Sequence, residues 1–127
     1  MRFERTDPMR VFQVGLDQQI SISDCGRVYL EPDEQVTFVT PAGKEHDFVA
    51  KSWGFYATPS INGRLADQGF KTALVKNSFG KYYIMVVDPD QMADFDTYLE
   101  IERHEITEWL DEREQSSFPM GDSAAPF

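Results

Sequence analysis

Arg64 stands next to last in the run KSWGFYATPSINGRL, Lys51 to Leu65, and a guanidinium beside a helix start is well suited to hold an anion. Thr58-Pro59-Ser60 reads as that start, with Thr58 as N-cap and Pro59 at the first helical position, where its missing N–H costs nothing. Free backbone N–H groups and the helix dipole at such a corner favour a phosphate or carboxylate. Arg64 can fork two hydrogen bonds to it, and Lys51 and Lys76 add point charge. Trp53, Phe55 and Tyr56 offer a stacking wall for a sugar or base, while Ser60, Asn62 and Asn77 supply polar groups. The same residues also have a plain reading. Alternation puts Trp53 and Phe55 on one face of a core strand, Thr58 and Pro59 cap a helix, and the lysines are solvated.

The charge distribution favours the ligand reading. Of 127 residues, 22 are Asp or Glu and 12 are Lys or Arg, for a net charge of -10. Between Lys51 and Tyr82, however, five cations face the single acid Asp67. A basic segment in an acidic chain selects a small anion over a nucleic-acid strand, whose binding requires Lys and Arg throughout. The acidic total also repels an anionic membrane surface, and no segment nears the roughly 20 apolar residues that span a bilayer.

Other chemistry is thinner. Cys25 is the sole cysteine, which rules out an intrachain disulfide, and no histidine lies near it in sequence to activate it. His46 and His104 each sit among acids, in EHD and ERHE, without a metal-site spacing, so no metal and no cofactor is expected. P-loop, GxGxxG, GxSxG, CxxC and HExxH motifs are absent, which leaves catalysis open and favours binding. The N-terminal run MRFERTDPMRVF carries no apolar signal-peptide core, so a cytoplasmic protein is expected.

The elements that must position these residues suggest one α+β domain over 10–111, between a loose arm at 1–9 and a disordered tail at 112–127. VFQVG, QISIS and RVYLE read as short strands, with a turn at Asp24-Cys25-Gly26. QVTFVT and HDFVAKSW pair across PAGK. A helix of about two and a half turns follows from Thr58 to Gly69, with Ile61 and Leu65 inward. KTALVKN and KYYIMVV form a hairpin, whose second strand is apolar on both faces and therefore expected at the sheet's centre. Asp88-Pro89 starts a helix through Met92, Phe95 and Leu99, and EITEWL is a closing strand. The architecture is thus an antiparallel strand meander, then helix, β-hairpin, helix and strand.

SWGFYATPSINGRLADQGFKTALVKN, KYYIMVV and ITEWL together resemble a small bacterial protein family associated with surface-polysaccharide gene clusters, over roughly Val11 to Asp111. The resemblance implies an accessory role near nucleotide-sugar or sugar-phosphate metabolism, and it carries no catalytic residues. The expectation is therefore a binding protein for a small anionic ligand: a sugar phosphate, nucleotide or nucleotide sugar. Lys51, Trp53, Tyr56, Thr58, Ser60, Asn62, Arg64 and Lys76 are its expected contacts. The alternative is a protein–protein interaction or scaffold module, including a homodimer, without a small-molecule ligand. Phe118, Met120 and Phe127 would then offer a partner-binding motif in the tail.

Overall fold

The computed structural model describes residues 1–114, so the tail beyond Glu114, with its expected partner motif, lies outside the described residues. The chain begins with a long antiparallel hairpin, β1 (Arg2–Val14) and β2 (Ile20–Tyr29). Residues 1–9 therefore belong to a strand rather than a loose arm, because β2 reaches Tyr29 and supplies partners for Arg2 through Arg5. Asp24-Cys25-Gly26 is likewise no turn. It continues β2, and the irregularity falls on β1, where the register jumps between Arg5 and Arg10.

Next comes a three-stranded sheet in the order β3 (Gln35–Val39), β4 (Glu45–Lys51), β5 (Gly54–Ala57). The β3–β4 turn closes as expected at Thr40–Lys44, with Gly43 at φ +88° accepting the left-handed conformation the tight loop requires. The second sheet has the order β7 (Tyr82–Val87), β6 (Lys71–Lys76), β8 (Glu105–Trp109). Both outer strands run antiparallel to β6. The central strand is thus β6 and not β7. An apolar run cannot say which strand of a hairpin receives the third strand; here α2 (Met92–Glu102) carries the chain from β7 across to the far side of β6.

The core follows from that placement. Ala73 and Val75 of β6 are fully buried against Leu99 of α2, with Met85, Phe95, Ile106 and Trp109 packed around them. Asp88 caps the helical segment as expected: its side chain accepts from the Asp90 N–H at 2.9 Å and from Lys44 Nζ at 2.6 Å. A short 3-10 turn at Pro89–Gln91 leads into α2.

The helix expected from Thr58 to Gly69 is only a turn followed by α1 (Arg64–Asp67). Thr58 donates its backbone N–H to the Asp47 carbonyl at 3.0 Å and its hydroxyl to Gln35 at 3.2 Å, so it is held by the sheet and does not cap. Ser60 takes over as the local acceptor, for the Arg64 N–H at 3.0 Å. Pro59 and Leu65 are fully buried, so tertiary packing overrides the helical signal. Among the described residues no helix is long and apolar enough to cross a membrane.

Candidate functional site

The expected contacts fall into separate places. Lys51 at the β4–β5 turn pairs with Asp33. Trp53, just before the four-residue edge strand β5, and Phe55 within it are 69% and 71% exposed, which overturns the core-strand reading, since no described residue covers them. Trp53 stacks on Tyr56, with ring centroids 5.8 Å apart and planes 12° apart. Arg64 pairs at 3.4 Å with the buried Asp47, which also accepts from Thr37 Oγ1 at 2.6 Å. Asn62 donates to the Arg113 carbonyl at 3.4 Å. Lys76 lies in the other sheet, 6.0 Å from the Tyr82 ring centre.

Folding also cancels most of the local positive charge. Lys51, Arg64 and Lys71 are matched by Asp33, Asp47 and Asp111, three acids from outside the basic segment. Only Lys76 and Lys81 of that segment lack a carboxylate in ion-pair range among the described residues. The hydrogen bond from Lys71 to Asp111 raises the lysine's pKa. Burial pushes Asp111 up, but Lys71 and the Thr72 N–H outweigh it and hold this carboxyl below the usual range.

His46 stands beside the Arg64–Asp47 pair, its ring 4.9 Å from Phe48. Its Nδ1 is buried with no hydrogen-bond partner among the described residues. Burial lowers the imidazole's pKa; Asp47 opposes the shift and Arg64 adds to it. A histidine depressed in the folded state contributes full stability above its unfolded value, about 6.5, and loses stability as pH falls below it, because the unfolded chain takes up the proton first. Denaturant unfolding between about pH 8 and about pH 5 should show that decline, and His46→Leu should flatten it. Equal slopes in the two proteins would refute the assignment.

A better-formed site lies elsewhere. A cleft of about 560 Å³ opens between the β1–β2 turn, the β6–β7 turn, β7 and the end of α2. Its walls are aromatic. The His104 ring lies 6.2 Å from Tyr83 with planes 11° apart, and meets Tyr98 edge-on at 5.5 Å. Phe79 and Met85 extend the apolar lining, with Asn77, Ser78 and Gln18 at its margin.

Among the described residues Glu102 is the cleft's only acidic or Lys/Arg side chain, and it is just 6% exposed. One carboxylate oxygen accepts the Leu16 N–H at 2.6 Å. The other accepts no hydrogen bond among the described residues. Gly15 makes this closeness possible: it sits at φ +93°, and a Cβ there would come 2.6 Å from the Glu102 oxygen. Burial, with help from Glu102 and Tyr83, raises the Tyr98 phenol. A buried carboxylate with a spare oxygen among aromatic faces suits a nitrogen donor or organic cation.

Sequence reasoning passed over this site because its parts come from Val14 to His104. The one local signal was ERHE, which brought acid and imidazole together without indicating the cleft. Cys25 is exposed and contacts Met9 and the Ser23 carbonyl, with no hydrogen-bonded base among the described residues. Among the described residues no three His, Cys, Asp or Glu side chains gather as a metal site. No protein-family model, no curated protein and no solved structure matches the chain.

Proposed function

We propose that this chain is a non-catalytic binding protein for a small, flat organic cation or nitrogen donor, held in the cleft with its charged end on Glu102. The observation that carries the reading is the buried Glu102 carboxylate, half-satisfied by Leu16, inside an aromatic enclosure. Tyr83, Tyr98 and Phe79 provide faces for a cation or ring, each such contact being worth about 0.5–2 kcal/mol. The net charge of -10 draws cations toward the protein from a distance.

The anionic reading, a sugar phosphate or nucleotide sugar, retains Lys76 and Lys81, which have no ion pair among the described residues. The exposed Trp53–Tyr56 stack favours the interaction-module reading in its turn. One thermal-unfolding screen separates them, using aromatic and aliphatic amines beside inorganic phosphate, sugar phosphates and nucleotides. A ligand at a hundred times its dissociation constant stabilises the fold by about 2.7 kcal/mol, a shift on the order of several degrees. Shifts with the amines alone are expected. Shifts only with phosphates would overturn the cation assignment in favour of the anionic one, and none at all would leave the interaction module.

A further inference from the structure

Among the described residues β7 ends its sheet and pairs only with β6. Edge strands are normally blunted by charge, proline, bulges or brevity. β8 carries Glu105 and Glu108, and β5 is four residues long. β3 is bounded by Glu34 and Pro41. β7, YYIMVV, has no charge, no proline and no glycine across six residues. Tyr82 and Ile84 are 58% and 57% exposed on it.

We propose that β7 pairs antiparallel with β7 of a second copy of this chain, joining two three-stranded sheets into one of six. A two-fold axis normal to the sheet must pass between identical residues, and Ile84 at the axis sets Tyr82 opposite the partner's Val86. The flanking charges select this occupant. Lys81 precedes β7 without an ion pair among the described residues, and two acids follow it: Asp88, held by Lys44 at 2.6 Å, and Asp90, 3.9 Å from Lys44 but with its side chain 83% exposed and so open to a second cation. Antiparallel pairing brings Lys81 beside the partner's Val87, within a long side chain's reach of the acidic corner that follows it. Parallel pairing would instead set like charges together.

The backbone is also in the correct phase. The Asn77 N–H bonds to the Lys81 carbonyl at 2.9 Å, and the β6–β7 register continues from that pair. Alternation then turns Tyr83, Met85 and Val87 toward β6 and leaves the N–H groups of Tyr82, Ile84 and Val86 on the open side. These three amides are the ones a second β7 would bond. The Tyr83 and Met85 side chains remain in the cleft, so the pairing is independent of the ligand reading.

Sedimentation from about 1 µM to about 1 mM, the range of weak to moderate affinities, tests the proposal. A species of twice the chain mass is expected, and Ile84→Lys should convert it to a monomer with a retained unfolding transition. If that variant fails to fold, amide hydrogen exchange on the unaltered protein decides. Tyr82, Ile84 and Val86 should be protected at high concentration and lose protection on dilution. A monomer across the whole range overturns the proposal, as does a dimer whose three amides exchange freely or one that Ile84→Lys leaves intact.

Discussion

Glu102→Gln should weaken binding of an organic cation by roughly two- to thirtyfold while leaving the fold close to its original stability. Glutamine keeps an oxygen for the Leu16 N–H and nearly the same volume, so the anchor between the β1–β2 turn and α2 survives. What disappears is the charge. A hydrogen bond to a charged group is worth about 1.5–3 kcal/mol against about 1 for a neutral pair, and each 1.4 kcal/mol is tenfold in affinity. Titration calorimetry with the best amine from the screen reads the change directly. Glu102→Ala is a poorer probe, since it also strands the Leu16 N–H, at about 1–3 kcal/mol. Equal affinity in the wild type and Glu102→Gln would remove Glu102 from the site and return attention to the aromatic walls alone.

The largest loss of stability is expected from Leu65→Ala. Leu65 is fully buried although its helix α1 is only four residues long. A helix that short cannot support itself, so the burial of Leu65, beside the Arg64–Asp47 ion pair, holds the segment in place. Removing a buried leucine to alanine costs about 2–5 kcal/mol, including the cavity left behind. For a domain of this size the melting temperature should fall on the order of 10 °C. Gln68→Ala, at the exposed end of the same helix, is the control and should change little. If the two substitutions behaved alike, α1 would not be pinned by Leu65.

Where the determining contacts are local, the sequence was a sound guide. The turn residues of PAGK located the β3–β4 hairpin, and the runs KTALVKN and KYYIMVV located the β6–β7 hairpin. Asp88-Pro89 located the start of the helical segment, and the α+β class stands. These features depend on dihedral preferences and on hydrogen bonds between near neighbours, which residue type largely dictates. The Thr58 corner shows the limit of that approach. It has the residues of a helix start, yet the Asp47 carbonyl and Gln35 claim Thr58 and hold the chain in another course.

The candidate site lay outside what local pattern can reach. The basic segment looked electropositive until folding set Asp33, Asp47 and Asp111 against its cations, partners that lie 18, 17 and 40 residues away in sequence. The cleft depends on the β1–β2 turn meeting the end of α2, 86 residues apart at the Leu16–Glu102 hydrogen bond. By itself, then, the sequence determined the local elements, the overall charge and the lack of any cysteine pair. Tertiary structure alone decided which strand is central, which aromatics are exposed, which cations are neutralised and where a buried carboxylate faces open space. The physical reason is that burial and ion pairing are properties of long-range neighbours, which a chain acquires only when it closes on itself.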